Sequence, residues 1–103
     1  MTEDSVKEIV YIDGELAEIV PDYLENRRKD VVALSAMLER EDVAAMRVLG
    51  HRMKGSGAGY GLDAISTIGG QVEQAAKEMS RTEMAAAIAA LDAFLVRLEV
   101  VYT

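Results

Sequence analysis

The chain has 103 residues, half of them apolar, and its 18 acidic side chains against 11 lysines and arginines give a formal net charge of −7. This size and composition predict one compact domain that folds without metal or disulfide support, and the lack of cysteine excludes thiol nucleophiles and cysteine-based metal sites. The acidic balance argues against binding to nucleic acid, no apolar run is long enough to span a membrane, and the N-terminus lacks the basic start of a signal peptide. We therefore expect a cytoplasmic protein that docks to another protein.

Residues 1–19 are predicted to form an N-terminal segment in front of the main helices. The apolar stretch in this segment is interpreted as extended chain, Asp13-Gly14 as a turn and the residues after it as a short helix. A first long helix is predicted from Pro21, whose missing N–H is harmless in a first turn, to about Arg40. On this helix the run Arg27-Arg28-Lys29 is interpreted as a solvated face.

Two further helical periods follow at short intervals. The second helix is predicted to begin at Glu41 and Asp42, because acidic residues suit a helix N-terminus, and to end in the glycines at 55, 57, 59 and 61. The third covers the apolar period from Leu62 to Met79. Its middle contains Gly69-Gly70, which indicates a point where a neighbouring backbone comes close.

The fourth helix is predicted to start at Ser80, since Ser80-Arg81-Thr82-Glu83 has the Ser-x-x-Glu form of a capping box. Its apolar positions continue to Tyr102 at alternating steps of four and three. Four amphipathic helices with short connections predict an all-α fold, an antiparallel up-down-up-down four-helix bundle. The bundle core is expected over about residues 20–103, within a single domain of residues 1–103.

The one histidine, His51, lies on the predicted second helix in a stretch without carboxylates. Although the chain is acidic, no aspartate or glutamate occurs between Asp42 and Asp63. Three cations surround the histidine instead: Arg47, Arg52 and Lys54. His51 is two residues from the apolar positions on either side, so at about 100° per residue it points away from the core and into solvent. This arrangement suggests a place where an anion is received.

Lys54 and Gly55 follow His51 at spacings of three and four and so share its face of the helix. A glycine within a helix costs about 1 kcal/mol relative to alanine, and we interpret Gly55 as a gap that lets another protein approach the imidazole. Neutral imidazole is a good nucleophile near physiological pH, and a phosphoryl group on it remains transferable. Because no carboxylate or metal ligand is close in sequence, His51 is predicted to act as a carrier and not as an enzyme.

The segment His51-Arg52-Met53-Lys54-Gly55-Ser56-Gly57, followed by Gly61 and a helix with Glu73, resembles the histidine-containing phosphotransfer (HPt) domain of two-component phosphorelays. The signature of that family is His-x-x-Lys-Gly-Ser-small, then a glycine ten residues after the histidine with an apolar residue before it. Each position matches except Tyr60, which is more polar than the usual residue. The resemblance implies a bundle of four antiparallel helices, in agreement with the helical periods.

The resemblance also implies roles for the residues of the motif. His51 would be the phosphorylated residue, through its outer ring nitrogen, and Lys54 would stabilise the phosphoryl group. Gly55 would give a receiver domain access to the histidine. The remaining small residues would bring the second and third helices together: Ser56, Gly57 and Gly61. At the periphery the site would include Arg47, Arg52, Glu73 and Lys77, although spacing alone favours an ordinary surface ion pair between the last two.

The partners implied by the resemblance are receiver domains of response regulators and of hybrid histidine kinases. Magnesium would be held by the receiver, so no metal or cofactor is expected on this chain, and the chain is expected to be a monomer. A second hypothesis is a helical docking module that binds receivers without being phosphorylated. A third is a segment of a hybrid or chemotaxis kinase, although the initial Met1 and an end close to the last helix favour a stand-alone protein.

Overall fold

A computed structural model describes residues 6–103, and residues 1–5 of the predicted N-terminal segment lie outside the described part. The four predicted helices are confirmed: α1 covers Val20–Arg40, α2 Val43–Ser56, α3 Asp63–Lys77 and α4 Arg81–Arg97. Two short strands flank them, β1 at Glu8–Ile12 and β2 at Leu98–Tyr102. Two 3-10 turns, Gly14–Leu16 and Gly57–Tyr60, join these elements, so the extended stretch and turn predicted ahead of the first helix are also confirmed.

A left-handed residue ends α1 and a carboxylate caps α2. Glu41 has a φ of 58°, and its N–H donates to the carbonyl of Leu38 at 3.1 Å. The carboxylate of Asp42 then accepts a hydrogen bond from the N–H of Ala45 at 3.2 Å, which satisfies a free donor of the first turn of α2. The predicted boundary is therefore correct for Asp42, whereas Glu41 belongs to the turn that closes α1.

The junction between α3 and α4 is built in the same way. Met79 has a φ of 54°, and its N–H donates to the carbonyl of Ala76 at 3.0 Å. The hydroxyl of Ser80 accepts a hydrogen bond from the N–H of Glu83 at 3.2 Å, as the predicted capping box requires. The N–H of Ser80, however, donates to the carbonyl of Ala75 and not to the side chain of Glu83. Only the serine half of the capping box is present.

The C-terminal segment departs from the all-α prediction. Residues Leu98–Tyr102 form β2, which pairs in parallel with β1 so that Glu8 lies opposite Leu98 and Ile12 opposite Tyr102. The segment is rich in β-branched and aromatic side chains, which favour strands, and β1 offers it backbone partners with the same preference. The prediction of a fourth helix as far as Tyr102 is therefore wrong beyond Arg97.

The small sheet is fastened to the helices at its inner face. Ile12 is fully covered and packs against Gly61, where an added Cβ would lie 3.3 Å from the Ile12 side chain. Gly61 has a φ of 77°, a left-handed conformation that favours glycine. An ion pair between Arg97 and Glu8 at 3.8 Å joins the end of α4 to β1. The two strands therefore cover one end of the helical core.

In the helical part each helix packs against two others: α1 and α3 both contact α2 and α4. The core between them is apolar, and its largest fully buried side chains are Ile12, Val20, Leu34, Met46, Met53, Leu62, Ile65, Val72 and Leu91. Within residues 6–103 no helix is both long and apolar enough to cross a lipid bilayer.

Glycines bring α2 and α3 into backbone contact, the most extensive contact between any two helices. A Cβ added at Gly50 would lie 2.9 Å from the carbonyl oxygen of Gly69 and 2.7 Å from the backbone nitrogen of Glu73. A Cβ at Gly69 would overlap the backbone nitrogen of Lys54. Since core atoms are already close-packed, these positions require glycine at this separation of the helices. The predicted close approach within α3 is confirmed at Gly69.

Replacing Gly69 by alanine is expected to destabilise the protein by about 1–3 kcal/mol, because the added methyl group pushes α2 and α3 apart. Gly55→Ala is the matched control, since Gly55 is also helical but a Cβ there would meet no heavy atom within 4 Å. The free energy of unfolding of the control should stay unchanged or rise by up to about 1 kcal/mol. Urea denaturation followed by circular dichroism measures both, and equal effects would contradict the close contact.

Candidate functional site

The side chain of His51 lies on the outer face of α2 and is 70% exposed, so its predicted exposure to solvent is confirmed. Its Nδ1 is 2.9 Å from Oε2 of Glu73 on α3, which is a hydrogen-bond distance. The other ring nitrogen, Nε2, has no hydrogen-bond partner among residues 6–103. Nε2 is therefore the nitrogen that an incoming group can reach.

Glu73 is the one charged residue that the described part of the chain buries, with 11% of its side chain exposed. Its carboxylate accepts a hydrogen bond from Nζ of Lys54 at 3.3 Å and lies 3.9 Å from Nζ of Lys77. With Nδ1 of His51, three nitrogen groups from two helices surround the two carboxylate oxygens. These contacts offset the cost of burying a charge, which is large when a carboxylate has no partner.

The charge state of Glu73 follows from these contacts. Burial by itself raises the pKa of the Glu73 carboxyl group, because it disfavours the charged form. Hydrogen bonds from His51 and Lys54, together with the charges of Lys54 and Lys77, outweigh burial and hold the pKa below its ordinary value of 4.5. An ionised carboxylate is a hydrogen-bond acceptor only, so the proton of a neutral His51 ring resides on Nδ1. The lone pair is then on Nε2.

The position of Glu73 differs from what spacing predicts. The expected contact with Lys77 exists, but Glu73 is buried and lies closer to His51 and Lys54 than to Lys77. A carboxylate 22 residues along the chain thus reaches the acid-free stretch around the histidine. One signal for this is in the sequence, because Glu73 follows Gly69 by four residues and so shares the face of α3 that meets α2.

A groove of about 310 Å³ opens beside the imidazole. It is lined by Arg47, Val48, His51, Arg52, Glu73 and Lys77. Neither arginine forms an ion pair within residues 6–103, so both add positive charge to that of the two lysines around Glu73, although the charge of Arg52 also acts on Asp30. Val48 is 53% exposed and gives the same groove an apolar wall. An anion that approaches Nε2 therefore meets a local positive field on an otherwise acidic chain.

The two glycines that follow Lys54 in the motif have different surroundings. Gly55 is exposed, and an added Cβ there would have no heavy atom within 4 Å, so packing does not require glycine at this position. At Gly57 an added Cβ would lie 2.6 Å from the backbone nitrogen of Ser66 and 2.8 Å from the carbonyl oxygen of Leu62. Gly57 therefore lies tightly against the start of α3, where the resemblance placed it.

The resemblance predicts that Ser56 and Gly61, like Gly57, help to bring α2 and α3 together, and the structure shows which elements these two residues contact. The hydroxyl of Ser56 is 2.7 Å from the hydroxyl of Tyr23, so it ties the end of α2 to α1. Gly61 ends the 3-10 turn after α2 and lies beneath Ile12 of β1. Ser56 therefore joins the end of α2 to α1, and Gly61 joins the connection between α2 and α3 to β1.

A cluster between α1 and the end of α2 was not apparent from the sequence. The rings of Tyr23 and Tyr60 stack with their centroids 4.0 Å apart, and the guanidinium of Arg27 lies 4.4 Å from the Tyr23 centroid. Arg27 also pairs with Asp30 at 2.6 Å and is only 16% exposed, so a solvated face is wrong for this arginine. Burial raises the pKa of Asp30, although Arg27 acts against that change. Tyr60, which departs from the family pattern, thus packs against Tyr23.

The fold and the site define a helical domain that presents one histidine, held by a carboxylate, on an open and positively charged surface. Within residues 6–103 no three histidine, aspartate or glutamate side chains come together as a group that could hold a metal ion. The model of the Hpt domain family matches residues 18–100, which is most of the chain. The chain therefore belongs to the Hpt domain family, the phosphotransfer domains of two-component signalling, whose members carry phosphoryl groups and are not enzymes in the usual sense. No curated protein and no solved structure matches it significantly.

Glu73→Gln is expected to lower the free energy of unfolding at neutral pH, because the hydrogen bonds from His51 and Lys54 are then no longer made to an ionised carboxylate. A carboxyl group whose pKa is lowered in the folded state stabilises fully above its ordinary pKa of 4.5, and this contribution is lost as the pH falls through the lower native value. The difference between wild type and variant should therefore shrink on acidification. Urea denaturation from neutral into acid pH measures it.

The matched control for this experiment is Glu99→Gln. Glu99 is exposed on β2 and forms no ion pair within the described part of the chain. Its replacement should change the free energy of unfolding little at any pH. A difference between wild type and Glu73→Gln that stays constant across the pH range would contradict the charged role of Glu73.

Proposed function

We propose that this chain is a phosphorelay intermediate that carries a phosphoryl group on His51 between receiver-domain aspartates, or from a histidine kinase to a response regulator. The observation that carries the proposal is the hydrogen bond between Nδ1 of His51 and the buried carboxylate of Glu73. This contact orients an exposed imidazole and leaves the lone pair of the neutral ring on Nε2. Membership of the Hpt domain family supports the same reaction.

In the proposed transfer the lone pair of Nε2 attacks the phosphorus of an aspartyl phosphate on the partner. The N–P bond forms as the P–O bond to the aspartate breaks, and the electron pair leaves with the aspartate carboxylate. The phosphorylated ring then keeps its proton on Nδ1 and carries a positive charge, which the Glu73 carboxylate stabilises. Transfer onward reverses these steps, with the carboxylate of a second receiver as the nucleophile.

The cations around the histidine suit the added negative charge of a phosphoryl group. The stem of Lys54 passes 3.6 Å above the Cβ position of Gly70, and its ammonium group is 3.3 Å from Glu73. Lys54 is thereby held beside the imidazole, where we propose that it stabilises the phosphoryl oxygens. Arg47 and Arg52 line the same groove and contribute further positive charge at its periphery.

The chemistry of bond cleavage is assigned to the partner. We propose that the receiver domain supplies the magnesium ion and the acidic pocket that hold the phosphoryl group in the transition state of the transfer, so that the chain needs no cofactor of its own. Gly55 supports this division, because its open surroundings leave room for another protein close to His51. Val48 offers that protein an apolar contact beside the imidazole.

We further propose that residues 1–103 form a single domain in which the four helices run up, down, up and down. The connections support this arrangement, because only Glu41 and Asp42 separate α1 from α2, and residues 78–80 separate α3 from α4. Helices joined by such short links pack as antiparallel neighbours. The contacts of α1 with α4 close the ring.

Incubation with a phosphorylated receiver domain is expected to label the wild-type chain with an acid-labile, base-stable phosphoryl group, as on histidine. His51→Gln should not label. Its circular dichroism should match that of the wild type because the side chain is exposed, while the altered contact with Glu73 should lower its melting temperature slightly. Equal labelling of both proteins would contradict the assignment. If the wild-type chain is never labelled, and His51→Gln binds receivers as tightly as the wild type does, the chain is instead a docking module that is not phosphorylated.

Gly55→Gln is expected to slow transfer from a receiver by about tenfold or more, because the added side chain obstructs the approach of the receiver to His51. This corresponds to a rise of roughly 1.4 kcal/mol or more in the activation free energy. Gly59→Gln is the matched control, because an added Cβ at Gly59 also meets no heavy atom within 4 Å. Gly59 lies in the turn after α2, two helical turns beyond His51 along the chain. Rapid-quench measurement of transfer rates compares the two, and equal rates would remove the access role of Gly55.

A further inference from the structure

A polar cavity lies between α1 and α2, next to the groove beside His51. Its volume is about 450 Å³, against about 310 Å³ for that groove, and Arg52 lines both. The wall of this cavity, here the arginine cavity, includes Tyr23, Asn26, Arg27, Asp30, Arg52 and Tyr60. Of these six residues only Arg52 has a part in the proposed phosphotransfer, so the other five call for a separate explanation.

The arginine cavity carries a net positive charge. The guanidinium groups of Arg27 and Arg52 face it, against the single carboxylate of Asp30. Asp30 pairs with Arg27 at 2.6 Å. Arg52 acts on the same carboxylate through its charge but forms no ion pair with any residue that the structure describes. One of the two guanidinium groups is therefore left without a close carboxylate.

One wall of the cavity is held in place by its own contacts. The side chain of Arg27 is only 16% exposed, and its guanidinium lies 4.4 Å from the centroid of Tyr23. Tyr23 in turn stacks on Tyr60, and its hydroxyl is 2.7 Å from that of Ser56. A wall that is ordered before a partner arrives loses little conformational entropy on binding.

We propose that the arginine cavity receives an aspartate or glutamate side chain of the receiver domain that docks on His51, and that it thereby helps to select this receiver. This role rests on the proposed phosphotransfer. Arg52 directly follows His51 in the sequence, and a typical protein interface covers about 800 Å² on each partner. A receiver that reaches Nε2 of His51 therefore also covers the mouth of the cavity.

The charge and the free donors of the cavity determine which side chain fits. Arginine binds a carboxylate through two parallel hydrogen bonds, and Arg52 has no such partner in the described chain. The exposed amide of Asn26 also lacks a hydrogen-bond partner there and adds a donor at the rim. A basic side chain would be repelled, and an apolar one would cover both donors without replacing their bonds to water.

Double-mutant cycles test the pairing, with a receiver that transfers its phosphoryl group to His51. Arg52→Gln is expected to weaken binding of this receiver, in its unphosphorylated form with magnesium, by about tenfold. Arg52 is exposed, so the fold should be retained. When each aspartate and glutamate on the docking face of the receiver is changed to alanine in turn, one of these changes should cost affinity with wild-type Arg52 and little with Arg52→Gln. Isothermal titration calorimetry measures the four affinities of each cycle.

Arg47→Gln is the matched control for these cycles. Arg47 is also an exposed arginine of α2 without an ion pair in the described chain, but it lines only the groove beside His51. It should show no coupling to the receiver residue that couples to Arg52. Absence of coupling between Arg52 and every acidic residue of the receiver, or equal coupling to Arg47, would overturn the assignment.

Asp30→Asn should have the opposite effect on binding. The change removes the anion that competes with the incoming carboxylate for Arg27, so the receiver should bind about threefold more tightly or better. Burial raises the pKa of Asp30, which means that folding disfavours its charged form, and the neutral isostere should therefore fold. Asp92→Asn, an equal change of charge on the exposed face of α4, is the control and should alter affinity little. Weaker binding by Asp30→Asn, or equal effects of the two changes, would contradict the proposed occupant.

Labelling of His51 separates this proposal from the phosphotransfer on which it rests. A receiver that phosphorylates His51 but binds all of these variants equally would overturn the role of the arginine cavity alone. A chain that no receiver phosphorylates would overturn both.

Discussion

The contact between the backbones of α2 and α3 at Gly50 and Gly69 sets the geometry on which the rest of the site depends. With these two glycines face to face, the helices lie close enough for a carboxylate on α3 to reach an imidazole on α2 at 2.9 Å. A methyl group at either position would widen the gap, and the hydrogen bond would lengthen with it. The distance between His51 and Glu73 is thus set by the packing of the core beneath them. The exposed face of α2 offers His51 no other hydrogen-bond partner in the described chain.

Glu73 shows how a costly residue can be retained at a functional position. A buried carboxylate is unfavourable unless donors surround it, and here an imidazole and two ammonium groups do so from both helices. The contact with His51, which helps to offset the free-energy cost of burying the Glu73 carboxylate, also fixes the tautomer of His51. Stability and reactivity therefore draw on one set of interactions, and a change at Lys54 or Lys77 would alter both.

Local patterns in the sequence predict the four helices, the caps at Asp42 and Ser80 and the exposure of His51, because each depends on residues within a turn or two of one another. The errors concern contacts between distant residues. Leu98 and Tyr102 fit a helical spacing, and only their pairing with β1 makes them a strand. Arg27 is part of a charged run that looks solvated, but its guanidinium packs on the ring of Tyr23 and pairs with Asp30. The burial of Glu73 likewise depends on where α2 lies against α3.

The pairing of β1 with β2 has a consequence for the order of folding. Every residue pair in this small sheet is 90 residues apart in sequence, whereas consecutive helices are joined by a few residues. Closing so long a loop costs more conformational entropy than docking neighbouring helices, so we expect the sheet to form after the helices have assembled. A two-stranded sheet is also marginal by itself in water, and it opens at lower cost than the core beneath it. We therefore expect the two strands to pair last and to separate reversibly, while the helices that position His51 stay folded.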